Sequence, residues 1–200
     1  TRSGIEIFRR ILLEFNVLAD HKVDDSDLYL WVGAALTAWA AVEYELSKLF
    51  AHTLGAENYL GAIRAFNAIH AFDSKLRITN EAAQTAFQDH PNFKKRWVNL
   101  YNRLSNHKDK RNAIAHGRVL PFAYQKHDDG TTERTPPALQ PAYGTSIYGS
   151  SKKNSSRPPF SGHAENAITL KQLREFTREF HRDAILINSL TIAYQTARPK

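Results

Sequence analysis

Apolar residues recur at helical spacing along most of this 200-residue chain. Over 4–20, Ile5, Phe8, Leu12 and Phe15 fall on one face, with Ile11 and Leu18 beside them, a pattern that predicts an amphipathic helix. The acids of "DDSD" at 24–27 offer N-caps for a second helix over about 27–54, ending before Gly55. Its inward stripe reads Leu28, Val32, Ala35, Trp39, Val42, Leu46 and Leu49. Residues 59–72 are poor in acids and also read as helix. "FDSKLRITNEAAQTAF" continues it, with Phe72, Leu76, Ala83 and Phe87 on one side. "DHPN" at 89–92 then breaks the pattern, because proline biases the residue before it away from helix.

From 93 to 116 the stripe is Phe93, Trp97, Leu100 and Leu104, followed by His107, Arg111 and Ile114. It begins aromatic and turns polar toward Gly117, a C′ residue that would end the helix. Residues 118–163 differ in composition. "YQKHDDGTTER" predicts a small hairpin around Asp129-Gly130, and "TPPALQPAYGTSIYGSSKKNSSRPPFSG" reads as an irregular, partly mobile insertion. A last helix follows a Thr-x-x-Gln capping box at Thr169 and Gln172. Its inner face is Leu173, Phe176, Phe180, Ala184, Ile187 and Thr191. These elements predict one all-α domain over 1–200, a bundle of four or five helices with a long insertion, 118–163, before the last.

Composition narrows the chemistry. A content of 42% hydrophobic and 24% charged residues suits one globular domain with a sizeable core. There is no cysteine, which excludes disulfides, a thiol nucleophile and cysteine-ligated zinc, and fits a reducing cytoplasm. Methionine is absent too and the chain begins at Thr1, so the natural start is expected upstream. The most apolar run, 28–42, has Thr37 as its only clearly polar member and is flanked by acids. It is shorter than the roughly 20 residues that span a bilayer, and predicts a buried core helix or a subunit interface, with no membrane association.

Charge is local. Between 91 and 118 stand eight cations and one acid, Asp109, a net +7 that equals the excess of the whole chain. Such a strip points to a polyanionic partner, although a solvated helix face has the same composition.

Arg111 sits on the apolar stripe, two turns after Leu104. A cation in that place needs an acidic partner or a role at a cleft. The simpler account pairs it with Glu43 or Glu45 of the second helix, Glu43 lying at the margin of that helix's apolar face. The other account looks five residues on to His116, about 140° further round the helix. Asn112 and His116 share a face, so the amide can orient the imidazole. An imidazole near neutrality beside a fixed guanidinium suits phosphodiester chemistry, one moving protons and the other steadying phosphoryl charge.

The spelling "RNAIAHG" at 111–117 resembles the Arg-x(4–6)-His signature of the HEPN superfamily, usually written with Asn, Asp or His directly after the arginine. "WAAVEYELSKLF" and "AIRAFNAIHAFDSKL" are similar to the early helices of its bacterial members. The resemblance spans roughly 27–118 and, loosely, the final helix; the insertion has no counterpart in it. It implies a small helical bundle that commonly homodimerises, with both signatures facing one shared cleft. It also implies a metal-independent endoribonuclease of toxin–antitoxin, phage-defence or RNA-processing type, with an antitoxin protein as a further partner. Carried over by position, Arg111 and His116 become the catalytic pair and Asn112 the polar helper, with no metal and no cofactor.

The expected reaction is attack of a ribose 2′-OH on the adjacent phosphorus, giving a 2′,3′-cyclic phosphate and a 5′-OH. Lys108, Lys110 and Arg118 flank the signature and would bind RNA phosphates, or else are solvated surface cations. His107 is a second acid–base candidate or a hydrogen-bonded structural residue. The "SSKKNSSR" run at 150–157 would grip RNA or be disordered. Trp31, Trp39 and Trp97 lie on or near inward stripes, which favours packing over base stacking. Two rivals compete: a HEPN-like module that holds RNA or a nucleotide without cutting it, and a structural dimer in which Arg111 merely pairs with Glu43.

Overall fold

The computed structural model describes residues 25–120, 123–126, 131–141 and 167–197. The helix expected over 4–20, the Asp129-Gly130 turn and the "SSKKNSSR" run lie outside them. Among the described residues there are five helices: α1 (Asp25–Thr53), α2 (Tyr59–Asn67), α3 (Phe72–Ala86), α4 (Pro91–Ala115) and α5 (Leu170–Ala197). The all-α bundle is as expected. Four short strands interrupt it between α4 and α5: β1 (Arg118–Leu120), β2 (Ala123–Lys126), β3 (Thr132–Thr135) and β4 (Ala138–Gln140).

The two longest of these helices, α1 and α5, lie along each other and make the most extensive contact among the described elements. Asp25 and Asp27 stand in the first turn of α1, where the helix dipole favours negative charge. The helix stops at Gly55, whose φ of 64° falls in the left-handed region open to glycine. Leu28, Ala35, Trp39, Val42, Leu46 and Leu49 are all buried, while Val32 is only partly so and Trp31 takes its place. The 28–42 run is thus a core helix, and no described helix is long and apolar enough to cross a membrane. From α5 come Leu173, Phe176, Phe180, Ala184, Ile187 and Thr191, each of them buried. Trp39 meets Phe180 edge-on at 5.0 Å and Phe72 at 4.7 Å, joining α1, α3 and α5. Trp97 is fully buried and donates Nε1–H to Asn80 Oδ1 at 3.0 Å, so it packs and hydrogen-bonds at once.

Buried hydroxyls are satisfied locally. Thr79, Thr177 and Thr191 each donate to the carbonyl four residues earlier, at 2.8–2.9 Å. The capping box forms at the start of α5: Gln172 N–H donates to Thr169 Oγ1 at 3.2 Å and Thr169 N–H to Gln172 Oε1 at 2.8 Å.

Two expectations are corrected. The helix expected to run unbroken from 59 through 87 divides at 68–71, where Ala71 is extended (φ −80°, ψ 124°). Phe66 packs on Phe50 and Phe72 on Trp39, both partners belonging to α1. On one continuous helix these two rings would point about 120° apart, and the break lets both reach α1. The second correction concerns the insertion. Part of its proline-rich portion is ordered as β4, which pairs antiparallel with β1 through Val119↔Leu139. Inside that pair β2 and β3 form the expected hairpin, Tyr124 opposite Arg134. Leu139 is buried and exchanges backbone hydrogen bonds with Ile168, at 2.9 and 2.7 Å. The excursion is thereby pinned to the base of α5.

Candidate functional site

The signature occupies the last turn and a half of α4. Proline at N1 starts this helix at Pro91, two residues before the expected start, since its missing N–H is one no helix partner would accept. His116 is the C-cap, its N–H bonded to the Asn112 carbonyl at 3.1 Å. Gly117 follows, but not in the left-handed conformation expected of a C′ glycine. Glycine is required there by crowding. A Cβ would stand 2.7 Å from Leu139 Cγ and 2.8 Å from the Ala113 carbonyl oxygen. The insertion therefore presses directly on the end of the signature helix.

Arg111 is not sealed in the core; its side chain is 32% exposed at the rim of the α1–α4 contact. Nη1 donates to Asn112 Oδ1 at 3.0 Å, and Nη2 lies 3.9 Å from Glu43 Oε1. Its Nε is buried and finds no acceptor among the described residues. The Glu43 carboxylate is more closely held by others. Oε2 accepts from Lys75 Nζ at 2.6 Å, and Oε1 from Trp39 Nε1 at 3.0 Å. Lys75, almost fully buried with its ammonium over the Phe66 ring, is the tighter partner. One carboxylate thus faces two cations, and the guanidinium keeps the positive excess.

Asn112 does not hold the imidazole in the way its spacing suggests. Its side-chain oxygen accepts a hydrogen bond from Arg111 Nη1, and its backbone carbonyl accepts one from the His116 N–H. The His116 ring is exposed and makes no hydrogen bond among the described residues. The expected RNA-binding cations are placed differently from one another. Lys108 forms an ion pair with Asp73 at 2.5 Å, a hydrogen bond that holds its ammonium above the usual lysine range. Lys110 bridges to Glu179 at 2.7 Å and lies over the Phe176 ring. Arg118 is exposed at the first position of β1. Of the three, the two lysines already have carboxylate partners.

His107 turns away from the signature toward α5. Its Nδ1 donates to Asp183 Oδ2 at 2.5 Å, and Arg103 Nε donates to Oδ1 of the same carboxylate at 2.5 Å. Asp183 has no exposed surface. Glu179 Oε2 stands 3.5 Å from His107 Nε2. Arg103, His107, Arg178, Glu179 and Arg182 line an open cleft of about 290 Å³ between α4 and α5. Sequence reading missed Asp183, Glu179 and the two α5 arginines that line the cleft, Arg178 and Arg182. The available signal was an acid on an apolar stripe: Asp183 is three residues after Phe180 and four before Ile187. Among the described residues no three histidines, aspartates or glutamates converge as a metal site.

Comparison of the chain with protein-family models, with curated proteins and with solved structures yields no match.

Proposed function

We propose that this chain is a metal-independent endoribonuclease that uses Arg111 and His116. One observation carries the reading. A guanidinium whose nearest carboxylate among the described residues is already held by Lys75 stands about 7.5 Å along the helix axis from an exposed imidazole that has no partner among those residues. The spelling "RNAIAHG", with its resemblance to the HEPN signature, supports the same reading.

In the reaction a ribose 2′-oxygen bonds to the adjacent phosphorus and the bond to the 5′-oxygen breaks. The 2′-OH proton passes to an imidazole, and the departing 5′-oxygen takes a proton from a second acid. Arg111 stabilises the charge that develops on the phosphoryl oxygens. His107 is engaged by Asp183, so it does not supply the second group. A second copy of the chain does, placing two His116 rings in one groove. RNA is the substrate because DNA lacks the nucleophile. A toxin–antitoxin, phage-defence or RNA-processing setting in the cytoplasm follows from the same resemblance, an antitoxin protein being the partner in the first of these.

The test is cleavage of single-stranded RNA with and without EDTA. Arg111→Ala and His116→Ala each remove cleavage, EDTA does not, and the products carry 2′,3′-cyclic phosphates. Full activity in either variant overturns the assignment. A second reading, in which Arg111 serves only structure, rests on its 3.9 Å approach to Glu43. Under it, His116→Ala changes nothing measurable.

A further inference from the structure

The cleft between α4 and α5 holds an arrangement that the signature does not use. Arg178 and Arg182 lie one turn apart on the exposed side of α5, and neither has an acid within ion-pair reach among the described residues. Like charges at this spacing repel and weaken a helix. Across from them Arg103 and His107 are fixed by one buried carboxylate, Asp183. Because a carboxylate accepts, Asp183 receives the hydrogen bond of His107 Nδ1–H and sets the ring's orientation. The remaining nitrogen, Nε2, lies on the cleft side with Glu179 at 3.5 Å. Glu179 is itself closer to Lys110, at 2.7 Å. Three guanidiniums and an oriented imidazole therefore border a space whose one lining carboxylate, Glu179, is already paired with Lys110.

The geometry points to this cleft as a binding site for a phosphoryl group. Arginine forks match phosphate oxygens in pairs, and a tethered imidazole supplies a fixed wall beside them. A volume of about 290 Å³ is at the small end of ligand sites, so the cleft admits a phosphoryl group with part of a sugar and leaves the base outside. That group comes from a free mononucleotide or from the backbone of a bound strand. The site does not depend on the nuclease reading, because none of its residues belongs to the Arg111–His116 pair.

The experiment is calorimetric titration of the full chain at fixed salt with inorganic phosphate and with adenosine 5′-monophosphate. It is paired with fluorescence anisotropy on a single-stranded RNA oligonucleotide. The Arg178→Glu/Arg182→Glu variant is compared with Lys94→Glu/Lys95→Glu, an equal charge change at exposed positions about 14 Å earlier along α4. Phosphate affinity falls about tenfold or more in the first variant and stays unchanged in the second. If the strand backbone fills the cleft, RNA affinity falls further in the first variant than in the second. If a mononucleotide fills it, only mononucleotide affinity separates them. Absence of saturable phosphate binding by the unaltered chain, or equal losses in both variants, overturns the proposal. Should the charge reversal unfold the chain, Arg178→Gln/Arg182→Gln gives the same comparison. Failure of the nuclease reading shows separately, as cleavage that survives His116→Ala.

Discussion

Glu43 holds Lys75 at 2.6 Å and Arg111 only at 3.9 Å. The same carboxylate thus has a structural partner and a looser one, and the two can be told apart by removing each. Glu43→Ala leaves the nearly buried Lys75 ammonium uncompensated and lowers unfolding free energy by about 3–5 kcal/mol. Lys75→Leu keeps Glu43 bonded to Trp39 and close to Arg111, and costs less. Urea denaturation of the two variants measures the order; equal losses would contradict it.

At Arg111 the conservative change is not conservative. Arg111→Lys keeps a cation but loses the planar fork that reaches Asn112 and Glu43 together. On the proposed function, RNA cleavage falls by about a hundredfold or more. The melting temperature moves by no more than a few degrees, because the side chain sits at a rim. Cleavage rates at saturating RNA, read beside a thermal melt, check both halves.

Gly117→Ala tests the packing of the insertion on the signature helix. Its new methyl meets Leu139 Cγ and the Ala113 carbonyl, both inside 3.0 Å, and the expected cost is about 1–3 kcal/mol. Placing Leu139→Ala in the same chain relieves the side-chain clash but not the backbone one. A double-mutant cycle by thermal denaturation should therefore show partial coupling.

His181 gives the chain a pH dependence of known sign. Burial lowers its pKa below the ordinary value of 6.5. Between those two pKa values the unfolded chain binds the proton and the folded chain does not, so this contribution to stability is present above about pH 6.5 and is lost on acidification. Urea midpoints at pH 7 and pH 5 are expected to differ less in His181→Gln than in the unaltered chain. An unchanged difference would remove His181 as a source.

Much of the bundle was legible because its causes are local. The capping box at Thr169 and Gln172, the apolar stripe of α5 and the stop near Gly55 each follow from neighbouring residues in the sequence. The break between α2 and α3 was not, since no glycine or proline marks it; it exists to aim Phe66 and Phe72 at one distant helix. Nor was β4, whose strand character comes from pairing with β1 some twenty residues earlier. At the candidate site, Arg111 could be found as a cation on an apolar stripe. Its division of Glu43 with Lys75 could not, because Lys75 is 32 residues from Glu43 in the chain. Asp183 escaped notice because Phe180 and Ala184 beside it complete a sound apolar face without it.

The pairing of β1 with β4, and the bridge from Leu139 to Ile168, tie the two roots of the insertion together beside the end of α4. With both roots fixed in this way, each doubling of the length of chain joining them would add only about 0.6 kcal/mol of closure entropy. A change of length there would cost little closure entropy while the β1–β4 pair keeps its place beside His116. A graft made between Pro141 and Asn166 is the natural route to giving this scaffold a new appendage.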